Sequence, residues 1–190
     1  MQARSFSIQE SVPIMYRASR SIPLIRSFSK NKRINKAFRE RIMLAISGVN
    51  GCAMCSFVHT KLALAEGISA EQIKQLLGGE FNDIPAAEAV GVLYAQSYAA
   101  GNEVIDPDSF QRLVDEYGDD KAYCILQVCQ IITFTTVMGI TLDGIKQRLT
   151  LKKSHNHFVA ELVILFLIFT AFPLMLLYHF IVIFLSRPAR

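Results

Sequence analysis

The chain has 190 residues and a formal net charge of +4 at pH 7, a length that accommodates one ordinary domain and an appendage. The charge is small and scattered, and no Gly-rich phosphate loop, Walker pattern or Rossmann pattern is present, so the sequence predicts no nucleic-acid partner. Four cysteines without a secretory signal argue against a disulfide framework and favour a reducing compartment.

Residues 1–30 mix serine and arginine with short apolar pieces. Pro13 and Pro23 are expected to break any long helix here, because proline lacks the amide donor that a helix interior uses. We therefore predict an N-terminal arm over residues 1–30 that is mobile or loosely docked. Four of its apolar residues are expected to rest against the domain or a membrane surface, namely Ile14, Met15, Leu24 and Ile25.

A helical pattern begins at Asn31, where apolar residues recur at intervals of three and four, and Gly48 is its expected stop. Glu40 lies within this helix. Sequence position alone favours a solvated surface glutamate. The alternative is that this helix packs beside the next one, so that the Glu40 carboxylate faces His59 and accepts or orients a proton.

The segment from Asn50 to His59 carries the pattern C-x-x-C-x-x-x-H, formed by Cys52, Cys55 and His59. On a helix, Cys52 and Cys55 lie one turn apart and can close a disulfide, and His59 can take or stabilise the Cys55 thiol proton. Gly51 is a helix-breaking residue just before the pair, which predicts that the cysteines begin a new helix. The positive end of a helix favours a thiolate, so we interpret the pair as redox-active.

Two alternatives to a redox pair stay open, inert packing and a zinc site. Zinc needs four ligands, and Cys52, Cys55 and His59 supply three. Cys124 and Cys129 lie far along the chain in an apolar run, so we predict that they belong to the core. The thiol chemistry of a redox pair requires no metal ion and no organic cofactor, so we predict neither.

The chain up to residue 150 shows further helix signals and no strand alternation. Ser69 to Gln72 form a capping box whose helix ends at Gly78-Gly79, and Pro85 and Asp106-Pro107 begin two more helices. A long helical segment follows from Asp119 or Asp120, with Gly139 as a point of bending. The predicted fold class is all-α, a helical bundle over residues 31–150.

Residues 158–185 form an apolar run whose ionisable side chains, apart from one tyrosine, are Glu161 and His179. At about 1.5 Å per residue, such a helix crosses a hydrocarbon core of about 30 Å with some tilt. We predict a transmembrane helix over 158–185, kinked by Pro173; a buried core helix is the alternative.

Basic side chains cluster before this apolar run, at Lys146, Arg148, Lys152 and Lys153, whereas a tail over residues 186–190 carries two arginines. Residues 151–157 are accordingly a basic juxtamembrane linker that attracts membrane lipid. The charge bias predicts a single-pass membrane protein whose N-terminal domain lies on the cytoplasmic side.

Glu40, the Cys52-x-x-Cys55-x-x-x-His59 pattern and the following Ala65-Glu66-Gly67-Ile68-Ser69 resemble the alkylhydroperoxidase D-like and carboxymuconolactone decarboxylase superfamily, over residues 31–150. The resemblance implies an all-helical domain that assembles into homo-oligomers, trimers or hexamers. It also implies that Cys55 is the peroxidatic thiolate, that Cys52 is the resolving thiol, and that Glu40 and His59 relay protons. Met54 departs from redox members that carry a histidine there, so one relay position is missing.

The expected function is that of a membrane-tethered thiol peroxidase or disulfide oxidoreductase, whose partners are a hydroperoxide substrate and a dithiol reductant, either a protein or a small molecule. Two alternatives remain. A lyase of the decarboxylase branch has no need of a vicinal thiol pair, and a non-catalytic membrane adaptor or assembly subunit would keep its assembly without the cysteines.

Overall fold

The computed structural model describes residues 3–29, 34–150 and 157–186, with the side chains of 25–29 excepted. Over these residues it contains eight α-helices and no β-strand, which confirms the all-α prediction. The helices are α1 (Ile8–Ser29), α2 (Lys36–Asn50), α3 (Ala53–Ala65), α4 (Ala70–Gly78), α5 (Ala86–Ala100), α6 (Pro107–Tyr117), α7 (Asp119–Leu149) and α8 (Phe158–Leu185).

The first helix corrects the prediction for the N-terminal segment. α1 is one helix of 22 residues although Pro13 and Pro23 lie inside it. Each interior proline costs a helix about 3 kcal/mol, and packing against α7 and α8 offsets that loss. Ile14 and Met15 are buried in the core, Leu24 is half-buried, and the Ile25 side chain lies outside the described part of the chain. The expected mobile or loosely docked arm is therefore wrong where the segment is described.

The bounds of α2 also differ from the prediction. The predicted start at Asn31 lies outside the described residues, and α2 begins after Asn35, whose side-chain oxygen accepts the Phe38 amide at 2.7 Å. The helix passes through Gly48, the predicted stop, and ends at Gly51 in the left-handed region. A Cβ at Gly48 would lie 2.6 Å from the Leu77 carbonyl oxygen, so this glycine allows α4 to approach α2.

Other sequence signals act as predicted. The Ser69 hydroxyl caps α4 by accepting the Gln72 amide at 3.1 Å, and Gly79 ends that helix in the left-handed conformation. Asp106 caps α6 through the Ser109 amide at 2.9 Å, with Pro107 as its first residue. These caps supply partners for amides that have none inside the helix, so they fix where each helix starts.

Helix α7 is the centre of the bundle. It has 31 residues and contacts α1, α2, α3, α5, α6 and α8. Cys124 and Cys129 are both buried on it, which confirms that these two cysteines are core residues. Because α7 contacts both the cysteine helix α3 and α8, it connects the candidate site to the C-terminal helix.

Two described helices, α7 and α8, are long and apolar enough to cross a membrane. They differ in burial: 72% of the most apolar window of α7 is buried inside the protein, against 22% for α8. α8 packs against α1 and α7, and its Phe172 ring stacks on Phe134 with the ring centroids 4.0 Å apart. α7 is thus the core helix of the domain, and α8 is a packed helix with a largely exposed apolar surface.

Candidate active site

The turn between α2 and α3 positions Cys52. Gly51 adopts φ +64°, a left-handed conformation that residues with a Cβ rarely adopt. Its amide donates to the Gly48 carbonyl at 3.1 Å. The Cys52 amide donates to the Ser47 carbonyl at 3.2 Å, and Cys52 then takes an extended backbone conformation as the N-cap of α3. The predicted helix start at the cysteine pair is therefore confirmed.

The Cys52 sulfur itself caps α3. It accepts the Cys55 amide at 3.2 Å, the position that a serine or aspartate oxygen takes at most helix starts. A negative charge on this sulfur would lie at the positive end of the helix, close to a donating amide. The local geometry therefore favours a thiolate at Cys52 whenever the disulfide is open.

Cys52 and Cys55 are joined in a disulfide, with their α-carbons 5.3 Å apart, as the spacing predicts. Both are buried, but not equally: Cys52 is fully inaccessible and Cys55 is 5% exposed. A reagent from solvent therefore reaches the Cys55 side of the disulfide more readily than the Cys52 side.

Helix α7 forms the surface under the pair. A Cβ at Gly139 would lie 2.9 Å from the Cys52 sulfur and 3.4 Å from the Cys55 sulfur. Next to this glycine, the Thr135 carbonyl oxygen lies 3.7 Å from the Cys55 sulfur and the Thr136 hydroxyl oxygen lies 3.6 Å from it. The sequence indicated Gly139 only as a point where the helix bends. In the structure, the lack of a side chain at Gly139 allows the two sulfurs to approach the α7 backbone closely.

Glu40 and His59 are in direct contact. The His59 Nδ1 and the Glu40 Oε2 are 2.7 Å apart, and Glu40 is 1% exposed. The reading of Glu40 as a surface glutamate is therefore wrong. α2 is covered by α3, α4, α5 and α7, so even its polar positions are buried.

The second oxygen of Glu40 has a partner that the sequence did not identify. Arg39 donates from Nε and Nη2 to Oε1 at 3.3 and 3.2 Å. A carboxylate with so little exposure requires compensating charge or hydrogen bonds. Arg39 and His59 supply them, each at a different oxygen of the Glu40 carboxylate. The structure thus aligns Arg39, Glu40 and His59, with His59 one helical turn after Cys55 on α3.

The core around Cys129 is chemically different from this site. Burial raises the pKa of the Cys129 thiol and those of Tyr94 and Tyr98. Within the described part of the chain no charged group offsets that effect at Cys129, so its protonated form is favoured. Cys129 is accordingly an unreactive core thiol. Among the residues that the structure describes, no group of three or more histidines, cysteines or acidic residues is placed to hold a metal ion.

Taken together, the fold and site define a class of protein: an all-helical bundle that carries a vicinal cysteine pair at a helix start, with a buried glutamate–histidine pair one turn further on. Residues 26–91 match the family model described as "Carboxymuconolactone decarboxylase family". This match, over about a third of the chain, supports the resemblance to the alkylhydroperoxidase D-like and carboxymuconolactone decarboxylase superfamily that the motifs indicated. No curated protein and no solved structure matches it significantly.

Proposed function

We propose that this protein is a membrane-associated thiol peroxidase that reduces hydroperoxides through Cys52 and Cys55. The observation that carries the proposal is the Cys52–Cys55 disulfide at the start of α3, formed one helical turn before a histidine bound to a buried glutamate. A vicinal pair of this kind can cycle between dithiol and disulfide. Decarboxylase chemistry has no use for such a pair.

The first step oxidises Cys55. Its thiolate attacks one oxygen of the hydroperoxide, so that a sulfur–oxygen bond forms as the oxygen–oxygen bond breaks. Cys55 becomes a sulfenic acid, and the released alkoxide takes a proton to leave as an alcohol. His59 is the proton donor in this proposal, with Glu40 bound to Nδ1 and the other ring nitrogen, Nε2, exchanging the proton.

The second step closes the disulfide. The Cys52 thiolate attacks the sulfur of the Cys55 sulfenic acid, and the hydroxyl group leaves as water after gaining a proton. The Cα separation of 5.3 Å lies within the range that a disulfide requires. Overall, one hydroperoxide and two thiols give an alcohol, water and one disulfide.

Turnover requires a dithiol donor, a protein or a small molecule, that returns two electrons and two protons. We infer that this donor attacks Cys55, for two reasons. Cys55 is the less buried of the two sulfurs, and Cys52 is the better leaving group because the Cys55 amide and the helix start stabilise its thiolate.

The membrane part of the proposal rests on α8. Its outer surface is almost entirely apolar apart from the Tyr178 ring, whereas Glu161 and His179 face the protein: Glu161 accepts Arg148 Nε at 2.9 Å, and His179 Nδ1 lies 3.1 Å from the Ser19 hydroxyl. Ionisable residues of membrane-spanning helices are typically paired and directed inwards in this way. We propose that α8 contacts a membrane through its exposed apolar surface, with the redox domain on the cytoplasmic side.

The homo-oligomer expected from the superfamily fits the surface of α3. Most residues of this helix are apolar, yet only two of its 13 residues are buried, Cys55 and Ala63. Its exposed apolar side chains include Met54, Phe57, Val58, Leu62 and Leu64. A helix with this composition is usually covered, so we propose that other copies of the chain cover it.

The test of the enzymatic proposal is peroxide consumption by the reduced, detergent-solubilised full chain, with free thiols counted before and after. We expect a loss of two thiols per protein that disappears in Cys55→Ser and persists in Cys124→Ala, which removes a buried thiol elsewhere. Unchanged thiols with both small and hydrophobic peroxides would contradict the proposal and favour the adaptor function.

The membrane proposal has its own test. We expect the full chain to stay with the membrane pellet after a high-salt wash, and protease to digest the redox domain only when it is added to the cytoplasmic face. Release of the protein into the supernatant would contradict membrane association, and digestion from the opposite face would contradict the orientation.

A further inference from the structure

Four threonines lie close together on α7, and one of them behaves differently. Thr133, Thr135 and Thr141 donate their hydroxyls to carbonyl oxygens of their own helix, at 2.8, 2.9 and 2.7 Å. Such back-bonding is the usual arrangement for a threonine in a helix. Thr136 is fully buried, and its hydroxyl oxygen lies instead 3.6 Å from the Cys55 sulfur.

The structure assigns Thr136 as a further catalytic residue, whose hydroxyl donates a hydrogen bond to the Cys55 thiolate and holds that sulfur for attack on the peroxide. The attack of this sulfur on a peroxide rests on the proposed function. The hydrogen bond between the Thr136 hydroxyl and the sulfur rests on the geometry alone. A thiolate has no proton to give, so in the reduced enzyme the hydroxyl is the donor of this pair.

The neighbouring Thr135 carbonyl makes the Thr136 hydroxyl important for the protonation state of Cys55. The Thr135 carbonyl oxygen, 3.7 Å from the same sulfur, can only accept a hydrogen bond, so it stabilises the protonated thiol. The Thr136 hydroxyl stabilises the thiolate. These two adjacent groups on α7 thus favour opposite protonation states of Cys55. Removal of the Thr136 hydroxyl leaves only the carbonyl, which favours the protonated thiol.

Other groups also act on Cys55 and have to be held constant. On α3 these are Cys52 and His59, and α2 contributes Glu40, which binds His59, and Arg39 behind it. The polar contacts of Cys55 with α7 are to the uncharged Thr135 carbonyl and Thr136 hydroxyl. Variants at Thr136 therefore change the hydrogen bonding of the sulfur without changing the charge around it.

The experiment measures thiolate formation directly. In a Cys52→Ser background, which retains a residue suited to the N-cap, the reduced full chain is alkylated with iodoacetamide at a series of pH values. Peptide mass spectrometry then gives the pH at which Cys55 is half-reactive. The variants are Thr136→Val, which keeps the shape and removes the hydroxyl, Thr136→Ala as a second deletion, and Thr136→Ser, which restores the hydroxyl.

We expect Thr136→Val and Thr136→Ala to raise the half-reactive pH by about one unit, equivalent to about tenfold less thiolate at a fixed pH. Thr136→Ser should stay near the parent value. The matched control is Thr133→Val, a buried threonine on the same helix whose hydroxyl bonds to the Cys129 carbonyl and not to Cys55.

The assignment is wrong if the deletion variants titrate like their parent, or if Thr133→Val shifts the curve as much as Thr136→Val. Because the titration uses no peroxide, its result is separate from that of the turnover assay. A chain that consumes no peroxide contradicts the proposed function, whereas an unshifted titration contradicts the role of Thr136.

Discussion

Gly139 of α7 lies directly against Cys52 of α3, so closely that a single methyl group at position 139 would stand 2.9 Å from the sulfur. The same methyl group would lie 3.0 Å from the terminal carbon of Met54. A sulfur atom needs more room than that, so the bare backbone at Gly139 is what allows the cysteine pair to rest on α7.

We expect Gly139→Ala to displace the cysteine pair and slow peroxide consumption by at least about tenfold, because small misplacements of reacting groups have large effects on rate. Overpacking should also lower the free energy of unfolding by about 1–3 kcal/mol. The measurements are the initial rate of peroxide loss and a denaturant unfolding curve.

Gly78→Ala is the matched control for this prediction, since a Cβ at that position meets nothing within 4 Å. It should retain the parent rate. If Gly139→Ala also turned over at the parent rate, close contact between α7 and the cysteine pair would not be needed for catalysis.

The contact between Glu40 and His59 supports a second prediction. Glu40→Gln keeps the shape of the side chain and removes its charge, and His59→Gln removes the imidazole. Each substitution should reduce the rate of peroxide consumption by about 10²–10⁴-fold, the usual contribution of a positioned acid or base. The double variant should be little slower than either single variant, because the two residues act as one unit.

Glu66→Gln serves as the control, because Glu66 pairs with Lys36 near the far end of α3 and does not contact His59. Additive rate losses in the Glu40 and His59 double variant would show that the two residues act independently. That result would contradict a relay even though the two side chains are in contact.

The local parts of the fold were predictable from the sequence because their causes are local. Ser69 caps α4, Pro107 begins α6, and Cys52 begins the cysteine helix, each through contacts among residues close in sequence. The redox motif, and the resemblance to the superfamily that it carries, also lie within one short stretch of the chain. None of these features depends on how the helices pack.

The features that sequence reasoning missed depend on packing between distant segments. Pro13 stays helical because α7 and α8 bury its helix, and Glu40 is buried because four helices surround α2. An isolated glycine in a helix, Gly139, indicates close approach in general but not what approaches. Nothing in the sequence distinguishes Thr136 from Thr133, since only the position of α3 does so.

A third prediction concerns which sulfur reacts with peroxide. With the resolving cysteine removed, a sulfenic acid formed at Cys55 has no vicinal thiol to condense with, so it should persist long enough to be labelled by dimedone. We expect Cys52→Ser to give one dimedone adduct, at Cys55, after one equivalent of peroxide. Cys55→Ser should give little label under the same conditions, and mass spectrometry of the peptide identifies the site.

The reverse pattern would reassign the two sulfurs. Cys52 caps α3 in a position that favours its thiolate, so more label on Cys52 in Cys55→Ser than on Cys55 in Cys52→Ser would show that the helix start outweighs His59 and Thr136 in selecting the nucleophile.

A fourth prediction follows from the buried core thiol. Burial raises the pKa of Cys129 above its ordinary value of 9.0, so the folded state binds a proton that the unfolded state releases at lower pH. The resulting stability is fully present below pH 9 and is lost as pH rises towards the folded-state value. Between pH 9 and 10 this one group should lower the free energy of unfolding by about 1 kcal/mol.

Tyr94 and Tyr98 act in the same direction at higher pH, because burial also raises their pKa values above the ordinary 10.0. The measurement is denaturant unfolding of the oxidised protein at pH 8, 9 and 10, with Cys52 and Cys55 joined so that neither titrates. Cys129→Ala should be less stable at pH 8 through lost packing, yet should decline less between pH 9 and 10. A decline equal to that of the parent would mean that Cys129 does not remain protonated in the folded state, and the alkaline instability would then have to come from another group.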